Sequence, residues 1–268
     1  MLRTRRSIRP VRAAFFDLDK TVIAKSSLVA LGPEFHARGL LNRRTLLRGA
    51  FTQLLFLRFG ASDQRLDKIR RQVLRLTKGW DHDEVRALVA ESINEVIEPL
   101  IYLEAKELID QHLANGDEVW LVSMSPVEIV EPFAELLGMT GAIGSRAKIS
   151  DSGKFTGDML FIAHGENKAQ AIREVATERG IDLSESFAYS DSDTDVPMLE
   201  VVGHAFAVNP DRALARTAQE RQWPILSFTH PVRAHDGKQS KTPFIVSAMV
   251  LGILALLGRS RRETTKKN

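Results

Sequence analysis

Short apolar runs alternate with helical stretches through the second half of the chain. "DEVWLVS" precedes "PVEIVEPFAELLG", "SFAYS" precedes "DVPMLEVVG", and "HAFAVN" precedes "PDRALARTAQERQ". Strands buried on both faces read as continuous apolar runs, and their repetition with helices implies a parallel sheet covered on both sides. "RAAFFD", residues 12–17, is one more such run near the N-terminus. "KISDSGKFTGDM" adds a hairpin around Asp151-Ser152-Gly153. The expected fold is therefore α/β with a doubly wound parallel sheet. Ligand sites of such sheets lie beyond the carboxyl ends of the strands.

Between the first strand and the rest, the periodicity is helical. "NRRTLLRGAFTQLLFLRFG", "SDQRLDKIRRQVLRLTKG" and "DHDEVRALVAESINEVIEPL" each space apolar residues three or four apart. Ser62 and Asp81 are the expected N-caps of the second and third. A further helix, "PLIYLEAKELIDQHLANG", is expected to start with Pro99 near its first position and to stop at Gly116.

The ends differ from this body. "MLRTRRSIRPVR", the arm 1–12, and "RSRRETTKKN", the tail 259–268, are basic, although the net charge of the 268 residues is only +3. Such runs read as solvated termini, and no nucleic-acid partner is expected. No long apolar stretch precedes "FFDLDK", so no secretory signal is expected. The chain has no cysteine, which excludes disulfides and thiolate metal sites. After a linker, 231–241, "TPFIVSAMVLGILALLG" (242–258) is seventeen residues without a charge. That length is at the lower limit for crossing a bilayer. The segment is read as a C-terminal apolar helix that attaches the protein to the inner face of the cell membrane, with the remainder cytoplasmic. Crossing from the cytoplasm would carry the basic tail over, against the positive-inside tendency. Re-entry into the bilayer, or packing on the core, therefore stays open.

Three polar clusters follow apolar strands. Asp17 and Asp19 follow the first, Ser123 ends "VWLVS", and "SDSDTD" (190–195) ends "FAYS". Any one alone is a turn or a helix cap. Together they fall where a doubly wound sheet builds its site.

In this order the clusters resemble those of the haloacid dehalogenase (HAD) superfamily, most closely its subfamily IB, the phosphoserine-phosphatase-like hydrolases. The matching motifs are "DLDKT" (17–21), Ser123 in "LVSMSP", Lys168 in "HGENKAQAI", and "SDSDTD". The resemblance covers residues 12–228. It implies a Rossmann-like sheet of the HAD type, with a catalytic core at 13–24 and 98–230. The longer insertion follows the first motif and is helical, so a cap is expected over residues 25–97. Its "AFTQLLFLRFG" is either helical core or an apolar entrance for an acyl chain.

The resemblance also implies a chemistry. Phosphate monoesters hydrolyse extremely slowly unaided, so nucleophile, acid and charge compensation are all needed. Asp17 would attack phosphorus and form an aspartyl-phosphate. Asp19 would protonate the leaving oxygen and later deprotonate the water. Mg²⁺ would be held by Asp17, the backbone carbonyl of Asp19, and Asp191. Ser123 and Lys168 would bind phosphate oxygens, with the backbone N–H groups of Leu18 and Met124 completing the cradle. Asp195 would position Lys168 or the waters of the metal, and Thr21 would fix the loop. The substrate would be a small-molecule or lipid phosphomonoester. The alternatives are a membrane-tethered phosphate-binding or scaffold protein with vestigial catalysis, and a soluble small-molecule, phosphoserine-like phosphatase.

Departures from the pattern narrow this. Phosphoserine phosphatases read the substrate amine with a glutamate nine residues after the nucleophile, and Ser26 stands there. Thr194 replaces a frequent asparagine. His164 is read as a bystander and Asp193 as solvent-facing. "DKT" also resembles the phosphorylated loop of cation-pumping ATPases, but Val22 occupies the position where glycine would follow.

Overall fold

Alternating side chains of the first strand face opposite sides of the sheet, and both sides are apolar. Ala14 and Phe16 join one buried cluster, while Ala13 and Phe15 join another. A strand with two dry faces must sit in the middle of a covered sheet. The computed structural model of the chain describes residues 11–41 and 74–232. It places β1 (Ala13–Phe16) at the centre of seven strands ordered β4-β3-β2-β1-β5-β6-β7. These are β2 (Glu118–Pro126), β3 (Gly141–Ile149), β4 (Phe155–Phe161), β5 (Phe187–Ser190), β6 (His204–Val208) and β7 (Ile225–Leu226). All pairings are parallel except β3 with β4.

One face carries α3 (Leu103–Ala114) and α4 (Val127–Leu136), the other α5 (Glu166–Arg179), α6 (Val196–Glu200) and α7 (Arg212–Glu220). Crossovers run outward from β1 in both directions, so β1 with its neighbours β2 and β5 is the switch point of the topology. The turn between β3 and β4 is closed by Ser150 and Lys154 at 2.9 Å, as the Asp-Ser-Gly signal predicts. A buried polar chain fastens β1 to its surroundings. Arg12 donates to Asp117 at 2.9 Å, and His112 lies 2.8 Å from both Asp117 and the Tyr189 hydroxyl.

The described residues between β1 and β2 are largely helical: α1 (Ser27–Ala37), residues 74–77, and α2 (His82–Ser92). Asp81 caps α2 as expected, accepting from the N–H groups of Asp83 and Glu84. Leu31 and Phe35 of α1 and Val85, Leu88 and Val89 of α2 join the apolar cluster that also holds Ile129 and Phe133 of α4. The segment just before α2 is stitched to the hairpin, since Gly79 donates to Phe155 and Phe155 to Trp80.

One helix boundary differs from expectation. Pro99 lies in a 3-10 turn, Glu98–Leu100, and α3 begins only at Leu103. Ile101 and Tyr102 are extended because they pair with the loop after β1. Ala24 donates to Leu100 and Tyr102 donates to Val22, each at 2.9 Å. Tertiary pairing there overrides the local helix-start signal.

The arm before Val11, the expected helix at 42–60, residues 62–73 with the Ser62 cap, and everything from 233 onward lie outside the described residues. The apolar segment 242–258 is among them. Among the described residues no helix is long and apolar enough to cross a membrane.

Candidate active site

The Asp17 N–H donates to the Tyr189 carbonyl at 2.9 Å, extending the β1–β5 ladder by one residue. That bond sets Asp17 at the carboxyl edge of the central strand. The chain then turns sharply. Lys20 has φ 69°, and Val22 and Ile23 both donate to the Leu18 carbonyl at 3.0 Å. Left-handed backbone at a lysine is uncommon and is held here by the bond from Lys20 N–H to the Ile23 carbonyl at 2.7 Å. Leu18 and Thr21 are fully buried, and the Thr21 hydroxyl has no hydrogen-bond partner.

Lys168 reaches this edge from the first turn of α5. Gly165 precedes the helix with φ 56° and ψ −129°, a conformation suited to glycine. The ammonium lies 2.7 Å from Asp17 Oδ1 and 2.8 Å from Asp195 Oδ2, and its side chain is only 3% exposed. Burial alone would lower the lysine, but Asp17 and Asp195 outweigh it and hold the ammonium above its ordinary range. Asp195 also accepts from Ser190 Oγ at 2.7 Å. Asp195 thus lies between Lys168 and Ser190.

Asp191 follows β5 and is buried beside this pair. Its backbone carbonyl accepts from Asp211 N–H at 2.8 Å, and its Oδ2 is 3.9 Å from Lys20 Nζ. Burial and the Asp195 charge outweigh Lys20 and push the Asp191 carboxyl up to about 7. Asp17 is also held well above the usual carboxylate range, first by burial and, against Lys168, by Asp195 and Asp191. Two buried carboxylates whose ionised forms are disfavoured by burial and by neighbouring acids make a setting that a cation would relieve. Both offer hard oxygen donors, which suit Mg²⁺. Among the described residues no three His, Cys, Asp or Glu side chains form a metal cluster. A set of two carboxylates, a main-chain carbonyl and waters is compatible with that, because Mg²⁺ keeps several waters.

β2 supplies the third side. Ser123 is buried, and its Oγ accepts from Ser125 N–H at 3.1 Å. Met124 between them exposes its side chain, and its carbonyl accepts from Ser145 Oγ at 2.7 Å. Asp19 is held by a different element. Its Oδ1 accepts from Ser27 N–H at 2.7 Å, and burial raises its carboxyl despite that bond. Asp17, Lys168 and Asp195 are thus in direct contact, with Asp19, Ser123 and Asp191 buried around them, and Ser27, Ser125, Ser190 and Lys20, which the motifs do not name, lie against these residues. For Ser125 a signal existed, because the alternation "S-M-S" points both serines to one side of a strand. Ser26 caps α1 without a side-chain bond, Asp193 is exposed, and His164 contributes backbone bonds to the turn before α5.

Residues 14–200 match the haloacid dehalogenase-like hydrolase family. The chain belongs to that family. It is 50% identical over 224 residues to the "Inhibition of morphological differentiation protein" of Streptomyces azureus, covering 84% of this chain and 81% of the relative. It is 46% identical over 245 residues to "Probable phosphatase Rv3661" of Mycobacterium tuberculosis, covering 91% and 85%. A phosphoserine phosphatase of the same organism, SerB1, is 39% identical over 218 residues, covering 81% and 70%. Among solved structures, a protein of unknown function from Bordetella pertussis superposes with a TM-score of 0.70 at 26% identity, covering 81% of this chain and 98% of that one. A substrate-bound phosphoserine phosphatase shares the fold, with a TM-score of 0.59 at 19% identity, covering 81% and 93%. The seven-stranded α/β sheet is thus that of the haloacid dehalogenase-like hydrolases.

Proposed function

We propose that this hydrolase cleaves phosphate monoesters in two steps through Asp17, with Mg²⁺ as cofactor. The observation that carries the reading is the convergence of Asp17, Lys168 and Asp195 within hydrogen-bond distance at the switch point of the sheet. In the first step an Asp17 carboxylate oxygen bonds to phosphorus and the ester P–O bond breaks. Asp19 gives its proton to the departing oxygen. In the second step water attacks phosphorus, Asp19 takes a proton from it, and orthophosphate leaves as Asp17 is regenerated. The raised Asp19 carboxyl suits a group that must begin this cycle protonated.

Mg²⁺, when bound, would neutralise charge on the phosphate, held by Asp17, Asp191 and the Asp19 carbonyl. Lys168 supplies the fixed positive charge that balances the phosphate oxygens, and the Ser123 hydroxyl has its proton free to donate because its oxygen is the acceptor in the bond from Ser125. The helical insertion, 25–97, would act as a cap that excludes water.

The similarity to a phosphoserine phosphatase supports a small phosphomonoester as substrate, while Ser26 in place of the amine-reading glutamate argues for a leaving group other than serine. The uncharged segment 242–258 keeps a lipid or membrane-associated ester in view. Phosphate release by the full-length protein tests this, with and without Mg²⁺, on phosphoserine, glycerol phosphate, lysophosphatidate and an aryl phosphate. Mg²⁺-dependent turnover that is lost in Asp17→Asn supports the reading. Turnover of none of these esters by folded protein would instead favour a phosphate-binding protein with vestigial catalysis.

A further inference from the structure

The Asp19 carboxylate is gripped from two elements that the sequence keeps far apart. The Ser27 N–H, at the first residue of α1, donates to Oδ1 at 2.7 Å. Ser125 Oγ, at the end of β2, donates to Oδ2 at 3.5 Å. The two serine hydroxyls lie 2.9 Å from each other, and the side chains are buried, with Ser27 0% and Ser125 4% exposed. A serine hydroxyl has a single proton. If Ser125 gives its proton to Asp19, Ser27 must be the donor in the bond between the hydroxyls. The chain of donors then runs from Ser27 through Ser125 to Asp19. Ser125 N–H donates in turn to Ser123 Oγ at 3.1 Å, which ties the same residue to the expected phosphate-binding serine.

We propose that Ser27 and Ser125 are positioning residues that hold the Asp19 carboxyl in the orientation from which it protonates the leaving group. The inference rests on the two-step phosphatase reading above. A buried carboxyl with one fixed N–H donor can still rotate its other oxygen. The hydroxyl pair removes that freedom, and proton transfer requires the acid within hydrogen-bond reach of the leaving oxygen. Ser123 and Lys168 are untouched by the pair's side chains, so phosphate binding is retained when a hydroxyl is removed.

The test compares two esters in full-length protein with Mg²⁺. Alkyl phosphates need their leaving oxygen protonated, whereas p-nitrophenyl phosphate releases a stable phenolate. The value of kcat/KM reports steps up to formation of the phosphoenzyme, so it isolates the leaving-group step from the hydrolysis common to both esters. For Ser125→Ala, kcat/KM on glycerol phosphate is expected to fall roughly 10- to 100-fold. The fall on p-nitrophenyl phosphate is expected to stay within about threefold. Ser125→Thr, which restores a hydroxyl, is expected to recover most of the loss. Ser27→Ala keeps its N–H and is expected to show the same selectivity with a smaller loss, and it carries the test should Ser125→Ala not fold. Equal losses on both esters, or no loss on either in folded variants, would overturn the proposal while leaving the phosphatase reading intact. A wild-type protein that hydrolyses neither ester, or an active Asp17→Asn, would overturn both.

Discussion

Lys168 and Asp17, 151 residues apart in sequence, meet at 2.7 Å in the interior, and the same ammonium is 2.8 Å from Asp195. One buried cation therefore serves two buried carboxylates. Removing it leaves two buried carboxylates without their shared counter-ion.

Lys168→Met is accordingly expected to abolish turnover and to cost about 3–5 kcal/mol of stability at neutral pH. Without the ammonium, the folded-state pKa of Asp17, already raised by burial, rises further above its unfolded value. Between those values the native state binds more protons than the unfolded one, so stability falls as pH rises. The deficit against wild type is expected to be largest near pH 8 and smaller at pH 5. Urea denaturation at both pH values in EDTA checks the sign; a constant deficit would contradict the pairing of Asp17 with Lys168.

If Asp191 holds Mg²⁺ as proposed, its carboxyl, raised to about 7, must release a proton when the cation binds. Mg²⁺ affinity is expected to climb as pH rises through about 7. Calorimetry in two buffers of different ionisation enthalpy measures the proton count directly. Asp191→Asn is expected to lose most of the affinity.

Gly165 sets the entry of α5 and thus the reach of Lys168. A methyl group there meets nothing nearer than the Thr194 carbonyl at 3.9 Å, so the objection to Gly165→Ala is torsional, not steric. The cost is expected to be about 1–3 kcal/mol, with a loss of kcat as Lys168 shifts. Gly203→Ala is the contrast. Its Cβ would fall 1.7 Å from the Ser184 carbonyl oxygen. Thermal melts are expected to rank it as the more destabilised of the two.

Glu128, at the start of α4, is 3% exposed and has one carboxylate oxygen without a hydrogen-bond partner. Its other oxygen is 3.5 Å from His82 Nε2. Burial raises the carboxyl, against the pull of His82 and Arg86. The folded protein thus holds a proton that the unfolded chain releases, and stability falls as pH rises between the two pKa values. Glu128→Gln removes that penalty. It is expected to be more stable than wild type by roughly 1 kcal/mol at pH 8 and no more stable at pH 5. Denaturant midpoints at the two pH values decide it.

Which residues end the strands, and in what order, can be read from the chain alone. Apolar runs mark β1, β2, β5 and β6 without tertiary information, because strands dry on both faces need no alternation. The order Asp17, Ser123, Lys168, Asp191 is likewise written along the chain. Tertiary structure decided what each residue touches. Nothing near Asp19 in sequence announces Ser125, which lies 106 residues away, and Ser190 meets Asp195 only because a 3-10 turn folds the acidic loop back. Pro99 was misleading for the same reason. Its local signal is that of a helix start, yet pairing of Tyr102 with Val22 keeps the next residues extended. Local propensities amount to tenths of a kcal/mol per residue, whereas a buried backbone donor left unpaired costs about 1–3 kcal/mol, so the contact made across the fold prevails.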